Sequence, residues 1–383
     1  MKLLIHTYRK TCILLSTLFG IQLFFNPANY LQAQVWTPER ANAWYEKQEW
    51  LRGANYVPAT AINQLEMFQA ETFDTATISK ELMLAKSIGF NTLRVFLHDL
   101  LWAQDAKGFK NRLDIFLSIC ARNGIRPMLV FFDSCWDPFP HTGLQHAPVA
   151  GVHNSGWVQS PGVDLLRDTS RWPVLEKYVK DIVSTFGKDK RVLCWDMWNE
   201  ADYPNPEFYH TLEPADKLEW VAKLLPLAFS WARSQHPDQP LTSGIWGIRP
   251  TWRKDLIHQL VKVQRLQIEL SDIISFHAYE DSASFRKAIT DLQTYHRPLI
   301  CTEYMSREND NTVFTMLPIA REYKVGMINW GFVDGKEQTK YSWTSWNKKD
   351  TSDPAIWHHV LFRKDHTPYK AAETEFIKSA GAR

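Results

Sequence analysis

The sequence alternates short apolar runs with amphipathic stretches over most of its 383 residues. Each apolar run is seven or eight residues long. Such runs are typical of strands whose two faces are both covered, as in a parallel sheet. The eight predicted strands are Trp50–Val57, Asn91–Leu97, Arg126–Asp133, Val192–Asn199, Pro240–Trp246, Asp272–Tyr279, Pro298–Tyr304 and Val325–Phe332.

A helical pattern follows each predicted strand, and three of these helices end just before a glycine at the C-cap. The predicted helices are Asp74–Ser87, Asn111–Asn123, Trp172–Phe186, Asp216–Ser234, Trp252–Leu270, Ser284–Tyr295, Thr312–Tyr323 and Tyr369–Ser379. A further helix, Pro38–Lys47, precedes the first strand, with Thr37 as its N-cap. Pro226 predicts a kink or a break in the fourth helix of the series.

Eight strand–helix units predict an α/β fold of the (β/α)8 TIM-barrel type, in a single domain spanning residues 34–383. A doubly wound open sheet is the alternative. It is less favoured because Gly53 stands alone after the first strand, where a dinucleotide-binding fold has a glycine-rich turn.

The first 33 residues have the layout of a signal peptide: three basic residues precede an apolar run, Thr11–Phe25, and Leu31-Gln32-Ala33 resembles a cleavage site. An N-terminal anchor helix is the alternative. These residues hold three of the 44 basic side chains and no acidic one, so residues 34–383 carry 41 basic and 42 acidic groups. We therefore expect an exported protein, periplasmic or secreted, with no electrostatic case for nucleic-acid binding and no membrane contact after signal removal.

Four cysteines follow the signal segment. Cys194 and Cys301 lie in apolar runs and are expected to be buried small hydrophobes. A bridge between Cys120 and Cys135 is compatible with an oxidising compartment, but the sequence does not fix it.

Two connections are long, residues 134–167 after strand three and residues 333–368 after strand eight. Both leave the carboxyl ends of strands, which is the face of a barrel that carries active sites. The chain has 17 Trp residues, more than one core needs, and several fall in these connections. We expect Trp136, Trp157, Trp343 and Trp346 to shape a cleft there. The histidines of the first connection, His141, His146 and His153, are too widely spaced to indicate a metal site and are expected to be solvated.

Two carboxylates are the strongest chemical signal. Glu200 follows the apolar strand four in Trp198-Asn199-Glu200, and Glu303 lies at the end of strand seven in Thr302-Glu303-Tyr304. Strands four and seven lie on opposite sides of a barrel axis, so the two acids can face each other across a sugar. Breaking a glycosidic bond needs such a pair, one to protonate the leaving oxygen and one to attack carbon or activate water. Structural salt bridges are the alternative role.

These motifs, with others on the expected strands, resemble clan A of the glycoside hydrolases and most closely the cellulase-like family 5. The resemblance covers about residues 50–335. The other matching segments are Asn91-Thr92-Leu93-Arg94-Val95, Ser275-Phe276-His277-Ala278-Tyr279 and Asn329-Trp330-Gly331-Phe332.

The resemblance implies that Glu200 is the general acid and base and that Glu303 is the nucleophile. It implies a substrate-binding set around them. In that set Asn199 bonds the sugar 2-hydroxyl, Arg94 and Tyr279 hold Glu303 ionised and oriented, His277 sits beside Glu200 or the sugar, and Trp330 stacks under the ring.

The sequence departs from the family pattern at two places, and these departures bear on which substrate is bound more than on the reaction mechanism. Ala201-Asp202 follows the acid motif where proline is usual, and Phe131-Phe132-Asp133-Ser134 ends strand three where histidine is usual. Asp133 or, alternatively, His98 from strand two is a candidate to fill that histidine's place.

The sequence therefore predicts an exported retaining O-glycosyl hydrolase that acts on a β-linked glycan or oligosaccharide in polysaccharide degradation, with no metal and no cofactor. A catalytically silent carbohydrate-binding barrel and an inverting hydrolase are the alternatives. If the long loops after strands three and eight wall off one end of the cleft, we expect exo action, or action on short or branched oligosaccharides, rather than mid-chain cutting of a polymer. No nucleophile elbow, P-loop, zinc-protease or dinucleotide motif competes.

Overall fold

The computed structural model describes residues 35–205, 209–247 and 257–381. The predicted signal segment and the first five residues of the helix predicted at Trp252–Leu270 lie outside these ranges. Among the described residues, no helix has both the length and the apolarity needed to cross a bilayer.

Eight parallel strands form the centre of the molecule, and each lies within one of the predicted runs. They are β1 (Arg52–Asn55), β2 (Thr92–Phe96), β3 (Met128–Asp133), β4 (Cys194–Asn199), β5 (Leu241–Gly244), β6 (Ile274–His277), β7 (Leu299–Tyr304) and β8 (Gly326–Asn329). The hydrogen-bonded order is β5-β4-β3-β2-β1-β8-β7-β6. A parallel bridge between Ile245 and Phe276 brings β5 to β6, so the sheet closes into a (β/α)8 barrel as predicted.

Every residue of the eight strands is buried. Helices cover the outside of the barrel, which explains why the strands are apolar runs and do not alternate with polar residues. The helices are α1 (Pro38–Tyr45), α2 (Gln64–Phe68), α3 (Thr75–Ser87), α4 (Asp99–Arg122), α5 (Val163–Leu166), α6 (Trp172–Phe186), α7 (Lys217–Arg233), α8 (Ile257–Leu270), α9 (Ser282–Gln293), α10 (Val313–Glu322) and α11 (Ala371–Gly381).

Some helices differ from their predictions. The helix α4 begins twelve residues before the predicted Asn111 because His98 caps an extra segment, which joins the rest at a kink on Asp105. The short helices α2 and α5 were not predicted, since four or five residues are too few to show a helical period. The helix α7 continues through Pro226 without a break.

The amino-terminal end of the barrel is closed. Trp36 and Ala41 pack with strand residues at that end, including Met128, Ile300 and Ile328, in a separate apolar cluster. The Trp36 amide donates to Asp272 Oδ1 at 2.8 Å, which anchors the segment before α1. The opposite, carboxyl end of the strands is therefore the face available for a site.

Irregular pairing marks that carboxyl end. The register shifts between β4 and β5 at Asp196–Asn199, between β6 and β7 at Phe276–His277, and between β7 and β8 at Cys301–Tyr304. Bulges re-aim side chains and often lie beside active sites. Here they coincide with the predicted motifs of three different strands.

Candidate active site

The two predicted acids meet at the carboxyl end of the barrel. Glu200 directly follows β4 with a positive φ of 50°, and its amide donates to the Gly244 carbonyl at 2.9 Å. Glu303 is the fifth residue of β7. Both are buried, at 7% and 5% exposure, and both line one cavity of about 670 Å³.

Glu303 is held by two donors. The Arg94 guanidinium donates to its Oε1 at 2.8 Å, and the Tyr279 hydroxyl donates to its Oε2 at 2.7 Å. Both interactions favour the ionised carboxylate. Arg94 and Tyr279 are thus placed to keep Glu303 charged and to fix its orientation.

Arg94 lies beneath the cavity and is fully buried. Its guanidinium also donates to Asp196 Oδ2 at 2.7 and 2.9 Å, to Asn199 Oδ1 at 2.7 Å and to Asn55 Oδ1 at 3.1 Å. Arg94 therefore positions other side chains and is not one of the residues that line the cavity. A buried guanidinium with this many acceptors forms a rigid hub, because each carboxylate or amide it holds fixes the next.

Glu200 has different neighbours. His277 Nδ1 lies 2.7 Å from Glu200 Oε1, and the Cys135 thiol donates to Glu200 Oε2 at 2.9 Å. Burial lowers the pKa of His277 well below its usual range, and the nearby Arg94 charge lowers it further. The imidazole is therefore neutral, and no cation among the described contacts compensates a charge on Glu200.

The two environments separate the acids chemically. Burial raises the pKa of Glu200 well above its usual value, and the charge of Glu303 raises it further. Burial also raises the pKa of Glu303, to about 7, but Arg94 and Tyr279 oppose that shift. Glu200 therefore keeps its proton at higher pH than Glu303 does, which is the order that an acid beside a nucleophile requires.

The acids are also close. One carboxylate oxygen of Glu200, one ring nitrogen of His277 and one carboxylate oxygen of Glu303 all lie within 4.8 Å of one another. His277 Nδ1, which lies 3.4 Å from Glu303 Oε2, stands between the two carboxyls. Among the described residues this trio is also the set with the spacing to ligate a metal. The Arg94 guanidinium on Glu303 already supplies the positive charge there, so proton chemistry suits the trio better.

Asn199 lies beside the two acids and lines the cavity. Its side-chain amide donates to Asp133 Oδ1 at 2.9 Å and accepts from Arg94, and its edge lines the cavity. Asp133 is buried below it and also accepts from the Trp157 indole at 2.6 Å. Asp133 is therefore a second support of Asn199 and not a contact for sugar hydroxyls.

The place of the missing strand-three histidine is taken by neither candidate from the sequence. His98 caps α4 and its Nε2 lies 2.9 Å from the Gln159 carbonyl, outside the residues that line the cavity. Cys135, two residues past β3, faces Glu200 instead. The disulfide between Cys120 and Cys135 that the sequence left open does not form, because both thiols are free.

Aromatic residues form much of the cavity wall. Trp330 is 9% exposed and packs edge-on against Trp157, with ring centroids 5.7 Å apart. Trp136 and Trp343 also line the cavity, and Trp346 stacks on Trp136 at 6.0 Å. Tyr203 and Trp246, which the sequence analysis did not single out, line the side nearest β4 and β5.

The loop histidines divide into two kinds. His141 and His146 are exposed as expected, but the expectation for His153 is wrong, since it is 1% exposed. Its Nδ1 lies 2.9 Å from the Tyr341 carbonyl, and burial lowers its pKa to about 4. His153 is a neutral part of the cavity wall.

The fold is shared with solved glycoside hydrolase structures, and in this chain Glu200 and Glu303 meet at the carboxyl end of the barrel strands. No protein-family profile matches the sequence, and no curated protein matches it.

Solved structures supply the particular likenesses. The exo-β-1,4-mannosidase Op5Man5 from Opitutaceae bacterium strain TAV5 aligns over 87% of this chain and 59% of its own, with TM-score 0.57 and 19% identity. The family 5, subfamily 18 protein of Streptomyces cattleya, in complex with Manβ1-4GlcNAc, aligns over 87% and 79%, with TM-score 0.56 and 11% identity. The β-mannanase of the blue mussel Mytilus edulis aligns over 78% and 89%, with TM-score 0.52 and 16% identity. The chain thus spans 59% of the length of Op5Man5.

Proposed function

We propose that this chain is an O-glycosyl hydrolase that cleaves β-linked glycans or oligosaccharides with retention of configuration. The observation that carries the proposal is the Glu200–Glu303 pair, whose nearest oxygens lie within 4.8 Å in two unlike environments. Retaining glycosidases hold their carboxyls about 5–5.5 Å apart, whereas inverting ones need about 6.5–9.5 Å to admit a water.

The first half of the proposed reaction forms a covalent intermediate. An oxygen of Glu303 attacks the anomeric carbon while Glu200 gives its proton to the glycosidic oxygen, and the aglycone leaves as an alcohol. Tyr279 and Arg94 stabilise the Glu303 carboxylate before attack, since both donate to it at 2.7–2.8 Å. As the negative charge of Glu303 is consumed, the raised pKa of Glu200 falls and favours proton release.

In the second half Glu200, now ionised, takes a proton from water as the water attacks the anomeric carbon. The bond to Glu303 breaks, and the sugar leaves with its original configuration. His277 Nδ1 lies 2.7 Å from Glu200 Oε1 and 3.4 Å from Glu303 Oε2, so it orients Glu200 and packs beside Glu303 through the exchange. In this proposal Asn199 bonds the sugar 2-hydroxyl and Trp330 supplies an apolar surface for the ring, and both residues line the cavity.

β-Mannosides are the first substrate class to test, because three of the similar structures are a mannosidase, a mannanase and a complex with a mannoside. The experiment is a panel of aryl β-glycosides of mannose, glucose, xylose and galactose. We expect turnover of at least one, and Glu303→Ala should lose about three or more orders of magnitude in kcat.

Chemical rescue by azide distinguishes the retaining mechanism from the inverting one. Azide added to Glu303→Gly should restore turnover and give an α-configured glycosyl azide, because azide enters where the carboxylate was. An inverted sugar from the wild-type enzyme, with no rescue, supports the inverting alternative. Binding of oligosaccharides without any turnover supports the silent carbohydrate-binding barrel.

Export is part of the proposal and rests on residues 1–33 alone. Expression of the full chain in a secreting host should yield a product whose mass corresponds to cleavage after Ala33. An uncleaved chain that sediments with membranes indicates the anchor-helix alternative.

A further inference from the structure

The two long loops meet at the wall of the cavity, since His153, Asn154 and Trp343 all line it. His153 donates its amide to the Ser345 hydroxyl at 2.9 Å, and the Gln338 side chain donates to the Val149 carbonyl at 2.8 Å. The Asn154 amide donates to the Glu337 carbonyl at 2.7 Å. These bonds join residues 149–154 to residues 337–345, and each of them engages at least one backbone group. We call this joined segment the loop wall.

The chain just after the first half of the loop wall is bonded to the segment that follows β1. The Asn63 side chain donates to the Gly156 carbonyl at 2.8 Å, and the Gln64 side chain donates to the Val158 carbonyl at 2.7 Å. Both donors are buried residues of the segment that begins α2. The loop wall is therefore a fixed boundary of the cavity, because three separate chain segments hold one another there.

The loop wall stands on the side of the nucleophile. Trp343 packs edge-on against Tyr279 with centroids 5.0 Å apart, and Tyr279 donates to Glu303. The same Trp343 contacts the His153 ring at 6.1 Å. Glu280, Ser284 and Lys287, which follow Tyr279 in the chain, also line the cavity and are exposed. A sugar attacked by Glu303 would therefore lie beside the loop wall.

Asn154 is a polar residue of the loop wall that lines the cavity. The residue is 1% exposed, yet neither its side-chain oxygen nor its side-chain nitrogen has a hydrogen-bond partner among the described residues. Its backbone is fixed, since the amide donates to Glu337 and the carbonyl accepts from Trp157 at 3.2 Å. A buried carboxamide without partners is costly, so a ligand that supplies both a donor and an acceptor is strongly favoured there.

We infer that the Asn154 carboxamide binds two adjacent hydroxyls of the terminal sugar, and that the enzyme therefore removes single sugars from non-reducing ends. Adjacent hydroxyls match a carboxamide because each can donate or accept, and the indoles of Trp157, Trp330 and Trp343 suit the C–H faces of the ring. A glycan that continued beyond this sugar would run into the loop wall. The inference rests on the proposed function.

The product pattern is the first test. Wild-type enzyme is given reducing-end-labelled oligosaccharides of two to six units, made of the sugar that its aryl glycoside panel selects. We expect free monosaccharide and a labelled product one unit shorter at every early time point. Early release of internal fragments overturns the inference and leaves the hydrolase proposal intact. Inactivity on the whole aryl panel is instead a failure of the proposed function.

Deoxy substrates test Asn154 itself. The 3-deoxy and 4-deoxy aryl glycosides are compared with the parent glycoside in wild type, in Asn154→Gly and in Asn154→Asp. Glycine accepts the positive φ of 49° at this position, and aspartate keeps the shape but not the donor. Asn347→Ala, at an exposed position of the loop after β8, is the control.

We expect wild type and Asn347→Ala to lose about 10- to 100-fold in kcat/KM when the bonded hydroxyl is removed. In Asn154→Gly the parent substrate should already show that loss, and the deoxy substrate should add little more. The loss should appear in KM at least as much as in kcat. Equal deoxy penalties in wild type and Asn154→Gly mean that Asn154 does not read these hydroxyls, even if the variant is less active.

Discussion

At the scale of single residues, the contact between Cys135 and Glu200 opposes part of the rise in the pKa of the proposed acid. The thiol lies 2.9 Å from Glu200 Oε2 and is 7% exposed. Burial raises the pKa of Cys135 well above its usual range, so sulfur is a donor and not a thiolate. A donated hydrogen bond stabilises ionised Glu200 and lowers its pKa, against the larger effect of burial.

We predict that Cys135→Ala shifts the alkaline limb of the pH profile of kcat/KM to higher pH, by up to about one unit. The reason is that Glu200 loses a donor to its charged form and holds its proton more tightly. The profile, measured on the best aryl β-glycoside, reports the free enzyme. Cys135→Ser keeps a donor, so its alkaline limb should stay near that of wild type. Superimposable limbs in all three proteins would remove Cys135 from the proton chemistry.

Cys135 also shows where sequence reasoning ends. Glu200 and Glu303 could be predicted because each closes a buried apolar strand, and strand ends converge at one face of a barrel. Cys135 and Asn154 lie in irregular chain with no period, so their positions depend on tertiary contacts such as the bond from Asn154 to Glu337. The signal available for Cys135 was its spacing, two residues past a strand that lacks the family's histidine.

At the scale of elements, all eight strands were predictable and the loops were not. A strand enclosed on both faces must be apolar throughout, so its sequence reports its position directly. The path of a long loop is set by its partners. Gly151 shows this: with a φ of 74°, a Cβ added there would lie 2.3 Å from the Asp350 carbonyl oxygen, so the two loops pack backbone to backbone.

We predict that Gly151→Ala loosens the loop wall. Gly143→Ala is the matched control, because Gly143 lies in the same loop with a φ of 91° and open space where Cβ would be. In both variants alanine is strained by the positive φ, but only in Gly151→Ala must the backbone of Asp350 also move away from the new Cβ. We expect Gly151→Ala to lower the free energy of unfolding by about 1–3 kcal/mol more than Gly143→Ala does.

Limited trypsin digestion measures whether the loop after β8 is loosened in Gly151→Ala. Lys348 and Lys349 are exposed and lie just before Asp350. Cleavage there should be faster in Gly151→Ala than in Gly143→Ala or wild type, since an opened loop enters the protease more easily. Equal cleavage rates in the two variants would mean that the contact at Gly151 does not hold the loop after β8.

At the scale of the whole molecule, buried titratable groups lower the free energy of unfolding both at acid pH and at higher pH. Burial lowers the pKa of His153 to about 4 and that of His358 to about 3. Their stabilising contribution is complete above the unfolded value near 6.5 and is lost as pH falls through these folded values. Burial raises the pKa of Glu81 to about 7. Its contribution is complete below about 4.5 and is lost as pH rises through 7.

Glu81 gives the clearest test because its surroundings are simple. Its carboxyl accepts from the Tyr56 hydroxyl at 2.8 Å and from the Ala59 amide at 3.1 Å, where α3 packs against the end of β1. Between pH 4.5 and 7 the unfolded chain releases the Glu81 proton while the folded protein retains it. Wild type therefore loses stability across this interval, by about 3 kcal/mol from this residue.

We predict that Glu81→Gln removes this loss. Glutamine has the same shape and no charge; its oxygen can accept from Ala59 and its amino group can donate to Tyr56, whose hydroxyl is free to turn. Urea unfolding at a series of pH values should show the variant gaining on wild type from pH 4.5 to 8, with the two closest in stability at the acid end. Parallel stability curves would show that Glu81 ionises in the folded barrel as readily as in the unfolded chain, and that other groups cause any fall in stability above pH 6.5.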